Sequence, residues 1–446
     1  MSGPKVVVLV TREQMLEIAD GLLKRLEKAI AAWITEGQGC GMLSDDEIAA
    51  TWRRRAALAA LVETSELVRL QKGVPDEIAF LKADTARRQQ AAADKAEQAA
   101  RRQRHTRHGA ATVLGALEAK GIAVPAELGA SLARMRNGQL LDDADAVLAR
   151  AFGLLTPEAT EALSAAQESL ARALRSAEPV MDLQGWKAAN AALDRDPAIA
   201  RLDHRIGEAN VHLGQNEAAG YATRLAAVEQ EANDAHRRLL LDSLTLDLAA
   251  AIDAARKRRA AREALEELSA EMNAYATPEA AAYVEQAAQR DAATSTAAMI
   301  ALIESGQALL AQVQQQQAAA ARRRAILGGL AKLGYEVHEG METAWANDGR
   351  VVIKKPSVPG YGVEVGGQTD RMQVRVVSTE ANRDMSRDRD VESMWCGEFG
   401  QLQDLLATQG DELQIERALG VGAVPLKVVV EAEGMQGNAS LARGMK

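Results

Sequence analysis

Between Lys82 and His108 the chain carries no leucine, isoleucine, valine, methionine or aromatic residue, and no proline or glycine. What remains is alanine, glutamine, threonine, histidine and charge. Alanine is the best helix former but buries little area, so this stretch favours helix while offering almost nothing to a core. It cannot be a buried strand. It reads as a thin coiled-coil strand or a solvent-bridging rod, and the large apolar side chains must come from elsewhere in the chain.

The same bias runs through most of the 446 residues. The apolar share of 47% is ordinary, yet aromatics supply only 3%, and 10 prolines leave little to interrupt helices. Abundant Ala, Glu, Arg, Leu and Gln over long stretches is the composition of extended helices. The fold class expected is mainly α, with long Ala-rich helices pairing as an antiparallel coiled coil, a small helical insert, and a C-terminal α+β domain.

Local signals place the boundaries. Lys5 to Val10 alternates as a short strand, and Thr11 with Gln14 makes a capping box that opens a helix to about Thr35. Gly37-Gln38-Gly39-Cys40-Gly41 then reads as a hinge, since it lacks the Lys-Ser/Thr of a phosphate loop. These residues form a first segment, 1–43. Ser44 with Glu47 is a second capping box, and one long helix is expected over 44–108, weakened near Gly73-Val74-Pro75. Unbroken, it would span on the order of 100 Å at 1.5 Å per residue. Residues 109–156 carry Gly121 to Pro125, Asn137-Gly138 and Thr156-Pro157, and read as a compact helical insert.

Helix resumes over 157–325, with breaks expected at Glu178-Pro179 and Asp196-Pro197. There Tyr221, Leu225, Val228, Ala232, Ala235 and Leu239 recur at spacings of four and three, a heptad seam. Leu265, Leu268, Met272 and Tyr275 continue the pattern, and a last long helix is expected from Pro278 to Leu333.

Composition changes at Ile326. Short β-rich runs (Tyr335–Val337, Arg350–Lys354, Tyr361–Val365, Met372–Val377 and Leu426–Val430) with a helix from Asp390 to Ala407 define an α+β domain over 326–432. Asn347-Asp348-Gly349 and Pro356 to Gly360 read as hairpin turns. The expected sheet is antiparallel with four or five strands. Lys5–Val10 is expected to join it, because a lone strand needs partners for its backbone groups. Residues 433–446 read as a frayed tail.

Candidate sites are few. A net charge of −9 excludes a uniformly cationic surface for nucleic acid or an anionic membrane. Basic clusters remain: Arg101, Arg102, Arg104 and Arg107, and Arg256, Lys257, Arg258 and Arg259. Aligned on one face they could neutralise phosphates. The histidine pairs His105/His108 and His204/His212 lack nearby carboxylates or cysteines at ligand spacing, so neither a metal nor a cofactor is expected. Cys40 and Cys396 match no metal spacing either and suggest a reducing, cytoplasmic compartment. No run reaches the roughly 18 apolar residues of a membrane span. In the C-terminal domain, Asp388, Arg389, Asp390 and Trp395 form the densest polar and aromatic segment and are expected to dock a partner.

The order helix, strands, helix, strand in that domain resembles, in topology alone, restriction-endonuclease-like nucleases. Such sites pair an acidic residue with a Glu/Gln-x-Lys around a divalent cation. The nearest match is Glu364 or Asp370 followed by Gln373-Val374-Arg375, with arginine where lysine belongs. The expectation is therefore a non-enzymatic scaffold: a coiled-coil interaction protein, self-associating, that docks a protein partner within a multi-subunit assembly. Nucleic-acid binding and a metal-dependent nuclease are the alternatives.

Overall fold

The computed structural model describes residues 5–139, 141–155, 197–291, 293–367, 371–380 and 384–429. The helix expected from Pro157, the breaks at Glu178-Pro179 and ahead of Pro197, Asp370 and the tail 433–446 lie outside these residues.

Over the described residues the chain runs β1 (Lys5–Val10), α1 (Arg12–Gly39), α2 (Asp45–Glu63), α3 (Leu67–Ala119), α4 (Ala126–Arg136), α5 (Ala144–Leu155), α6 (Pro197–His212), α7 (Gln215–Glu229) and α8 (Asp234–Met272). It continues through α9 (Pro278–Ala288), α10 (Thr296–Lys332), α11 (Met341–Asp348), β2 (Arg350–Lys354), β3 (Tyr361–Gly367), β4 (Met372–Ser378), α12 (Asp388–Thr408), β5 (Glu412–Ala418) and β6 (Lys427–Val428). The protein is mostly helical, with a small sheet near its C-terminus. Contacts divide it into two compact units, one of residues 1–31, 49–79 and 261–446 and one of residues 32–48 and 80–260.

The Ser44–Glu47 capping box forms in both directions and the Thr11–Gln14 one in one direction, Gln14 Oε1 having no hydrogen-bond partner among the described residues. Gln14 N donates to Thr11 Oγ1 at 3.3 Å. Ser44 N donates to a Glu47 carboxylate oxygen at 2.9 Å, and Glu47 N donates back to Ser44 Oγ at 3.4 Å. Each satisfies amide groups that a helix start leaves without an internal partner. The glycine-rich segment is less of a hinge than expected, because α1 continues to Gly39.

Two expected helices differ. The single helix over 44–108 is two, broken at Thr64–Glu66, where Ser65 takes the left-handed conformation (φ 59°) that ends helices. Conversely, Pro75 does not weaken α3, which passes straight through it. Leu70, Val74, Ile78 and Leu81 form a fully buried stripe across that point, and their burial outweighs the roughly 3 kcal/mol that an interior proline costs. The long helix from Pro278 is also two, α9 and α10. Asp291, Thr294 and Ser295 separate them, and the Ser295 side chain caps α10 by accepting from Ala298 N at 3.1 Å.

The heptad seam ends early. Leu225 and Val228 on α7 are buried with Leu241, Leu244 and Leu248 of α8. The chain then turns at residues 230–233, and Ala232, Ala235 and Leu239 are exposed. Asn233 makes the turn, its side chain accepting from Ala235 N at 3.0 Å and His236 N at 3.2 Å. Leu265, Leu268, Met272 and Tyr275 are buried as expected, against α9 and the first half of α10. The insert has its own core, in which Val113 and Leu117 of α3 meet Leu128 and Leu132 of α4 and Val147 and Leu148 of α5.

In the C-terminal domain the strand order is β2-β3-β4-β1-β5. The N-terminal strand lies inside the sheet, antiparallel to β4 through Lys5↔Val374 and to β5 through Val8↔Gln414. Among the described residues the sheet has six strands, the expected four or five joined by β1, but its members differ: β5 was not anticipated, and β6 pairs in parallel with β4 beyond the Lys5 end of β1. Tyr335–Val337 is not a strand, although Glu336 N donates to Lys354 O at 2.9 Å. Asn347-Asp348-Gly349 is not a hairpin but the end of α11, with Gly349 at φ 69° closing it onto Trp345 O. Pro356 to Gly360 does join β2 to β3.

One sheet face packs on α10 and α12, through Ile326, Leu327 and Leu330 of the first and Trp395, Phe399, Leu402 and Leu406 of the second. Of the described helices, α10 alone is long and apolar enough to cross a membrane, contrary to expectation. Its two ends are built into cores: Met299 and Val313 with α9, Ile326 to Leu330 under the sheet.

Candidate functional site

Along α12, Val391, Met394, Trp395 and Glu398 fall at spacings of three and four and so share one face. That face borders an open pocket of about 270 Å³ of empty space, solvent included, whose opposite wall is Tyr361, Gly362, Val363 and Val376 of the sheet. Tyr335 and Lys355, from the segments flanking β2, close its sides. The floor is aromatic: the Trp395 ring meets Tyr335 edge-on at 5.9 Å and Phe399 at the same distance. Met394 stands at the rim, 44% exposed.

The tyrosine, lysine and carboxylate groups of the pocket are committed to one another, whereas the buried Trp395 Nε1 has no hydrogen-bond partner among the described residues. Tyr335 Oη donates to one oxygen of Glu398 at 2.5 Å, and the Lys355 ammonium binds the other. Lys355 also lies over the Tyr335 ring, 5.0 Å from its centroid. Burial, and then the Glu398 carboxylate, push the Tyr335 phenol far above its ordinary value. It stays protonated as a donor. Tyr361 Oη donates to Asp388 at 3.0 Å, at the start of α12. An apolar cavity with a few fixed polar groups suits binding. A carboxylate already bound on both oxygens is poorly placed as an acid or base.

No family model, curated protein or solved structure matches this chain.

All four residues expected to dock a partner lie on α12, but only Trp395 lines the pocket, and Asp388 meets it through Tyr361. Trp395 is 1% exposed. It therefore cannot itself be a surface anchor and instead forms the pocket floor, because the α12 stripe turns it onto the sheet. Arg389 and Asp390 are exposed and lie outside the pocket lining.

The basic clusters do not form one open face. Arg104 is engaged by Asp203. Arg107 donates to Arg136 O at 3.1 Å. Arg256 donates to His212 at 3.1 Å and to Glu208, itself buried, at 3.1 Å. Arg259 pairs with Glu36 at 3.1 Å, and exposed Lys257 with Asp253 at 2.7 Å. Arg258 also has interactions of its own. Burial, with Arg256 and Arg259 alongside, lowers the His212 pKa to about 4 and keeps that ring neutral. Arg101 and Arg102 are exposed.

Glu364, the nuclease-like candidate, is buried and surrounded by cations. Arg375, its cross-strand partner, binds it at 2.8 Å and Lys427 of β6 at 2.8 Å, with Arg350 at 3.9 Å. Burial raises its carboxyl, but Arg375 and Lys427 outweigh that and hold it below the usual range. Such a carboxylate is already neutralised by protein, the opposite of a vacant cation ligand.

Sequence reading missed Tyr335, Lys355 and Glu398 as a group. Tyr335 and Lys355 flank β2, and Glu398 lies far along the chain; only the fold brings them together.

Proposed function

We propose that the chain is a non-enzymatic interaction protein whose C-terminal domain docks a protein partner at the pocket beside α12. The partner would place an apolar side chain against Met394, the exposed apolar residue at the pocket's rim. The observation that carries this reading is the exposed Met394 at the rim of a pocket whose one carboxylate, Glu398, is already bound on both oxygens. Such a pocket offers contact area and a fixed charged rim, and no nucleophile or free acid. A cytoplasmic location and membership of a multi-subunit assembly belong to the same proposal.

Self-association is part of it. Leu239 and Leu246, seven residues apart on α8, are 68% and 70% exposed and supply an apolar stripe of the kind paired helices bury. Light scattering on the purified chain tests this, and a dimer lost on Leu246→Glu supports it.

The docking test is native purification of the full chain with and without nuclease, comparing wild type with Met394→Arg. A stoichiometric protein that survives nuclease and is lost from the variant supports the pocket. The same protein retained undiminished by Met394→Arg would sink it. Nucleic acid as the main companion, lost with Arg101→Glu and Arg102→Glu, would favour the alternative.

A further inference from the structure

The structure brings together a set of side chains far from that pocket. Asp94 and Glu97, three residues apart, share a face of α3, and His204 reaches them from α6. One ligand atom from each lies within 4.8 Å of the others. His204 Nδ1 is 2.9 Å from Glu97 Oε2 and 3.9 Å from Asp94 Oδ1. Ligand atoms held at about 2.0–2.2 Å from a common ion are themselves roughly 3–4 Å apart, so these distances already match a shared cation.

Three observations separate this group from an ordinary surface ion pair. First, the helices are fixed at the site. A Cβ on Gly207 would stand 2.6 Å from Ala93 O, so α6 and α3 touch backbone to backbone, one residue from Asp94 and one turn from His204. Second, the neighbouring charges are engaged elsewhere: Asp203 by Arg104, and Arg205 by Glu208 at 2.7 Å. Among the described residues the ion pairs of Asp94 and Glu97 run to His204, in contrast to Glu364 with its ring of cations. Third, Gln90 donates to Asp94 Oδ1 at 2.8 Å, the outer contact that orients a ligating carboxylate. All three candidate ligands are half-buried, within reach of an ion from solvent.

We propose that Asp94, Glu97 and His204 bind a first-row divalent cation, zinc being the best match to one imidazole and two carboxylates, with water completing the shell. The ion would staple α3 to α6. Sequence spacing could not show this, since His204 lies 107 residues from Glu97.

The test uses the full chain, stripped with chelator and desalted, titrated with zinc by calorimetry and with cobalt(II) by visible absorption, with magnesium as the comparison. A single saturable zinc site is expected, with visible cobalt bands and a zinc-dependent rise in melting temperature. His204→Ala and the isosteric Glu97→Gln each remove a direct ligand and should weaken zinc by at least the roughly 10–100-fold that losing an outer-shell partner costs. His105→Ala/His108→Ala, on the same helix, should leave it unchanged. No saturable uptake by wild type, or uptake by Glu97→Gln equal to wild type, would overturn the proposal.

Discussion

The C-terminal core and the cores of the 32–48/80–260 unit are built from different materials. Under the sheet, Trp345, Trp395, Phe399, Tyr335 and Tyr361 are buried together with sixteen branched or long aliphatic side chains. In the helical unit, the clusters around Leu202–Ile252 and Val113–Ala151 bury only Ala, Val, Leu, Ile and Met. Large rings specify their own packing by shape. Small side chains do not, and the helical unit supplements them with polar contacts. Trp33 Nε1 donates to Asp84 at 2.9 Å, and Arg88 binds Asp84 at 2.5 Å and Glu47 at 2.6 Å. Gln89 and Arg259 both meet Glu36 at 3.1 Å. One region is held by volume, the other by direction.

The largest effect should come from removing volume. Trp395→Ala deletes the side chain at the centre of the aromatic cluster and should cost about 3–5 kcal/mol, the usual range for an aromatic truncated in a core. Urea unfolding of the full chain, followed by tryptophan fluorescence and by far-ultraviolet dichroism, reads it. A sheet-domain transition moved to lower urea with the helical signal unmoved supports two separately specified cores. A common shift of both signals breaks the contrast.

Next is Asp84→Ala, which strips the helical unit of its polar centre. Arg88, 8% exposed, keeps Glu47 and the Met42 carbonyl but loses its nearest carboxylate. Breaking a buried pair from one side costs about 3–5 kcal/mol, and the remaining partners put this variant near 3. Acid sharpens the test. Burial raises the Asp84 carboxyl, but hydrogen bonds from Arg87, Arg88 and Trp33 outweigh it and bring the pKa from 3.8 down to about 2. A carboxyl depressed on folding contributes stability that is complete above pH 3.8 and lost as the pH falls towards 2. The wild type should therefore lose stability over that window, and Asp84→Asn should lose less. Equal slopes would show that the knot is decorative.

Third is Gly207→Ala. The added methyl would overlap a main-chain oxygen, which cannot swing aside, so the helices must part. About 2 kcal/mol is expected, within the range for overpacking. A neutral result, seen as an unchanged melting temperature, would mean that α3 and α6 are not locked where they cross.

The same contrast explains what could be read in advance. Features set by local chemistry were legible: the Thr11 and Ser44 capping boxes, the β1 strand that needed a sheet, the turn at Pro356. The α12 helix was legible as well, though not its face: Trp395, expected at a docking surface, is buried with Phe399 against the sheet. The breaks at Thr64–Glu66 and Asp291–Ser295 were not, since Ser, Thr and Asp differ little in helix propensity and no proline marks them. β5 escaped because Glu412, Gln414, Glu416 and Arg417 disguise an edge strand with polar and charged side chains. The Glu398 and His204 clusters escaped because each joins residues remote in sequence.

The smallest effect tests the heptad seam by its sign. The spacing of Tyr221, Leu225, Val228, Ala232, Ala235 and Leu239 would suit one continuous coiled-coil helix. The structure stops α7 at Glu229 and begins α8 at Asp234, with the Asn233 side chain taking two amide hydrogens. If the helix were continuous, Asn233→Ala would replace a poor interior residue with the best helix former and would stabilise by several tenths of a kcal/mol. If Asn233 caps α8, the same change leaves those amides to water and should destabilise by about 1 kcal/mol. Thermal or urea midpoints separate the two directions. A lowered midpoint upholds an α7–α8 hairpin closed over Leu225 and Leu244, and a raised one would restore the uninterrupted coil.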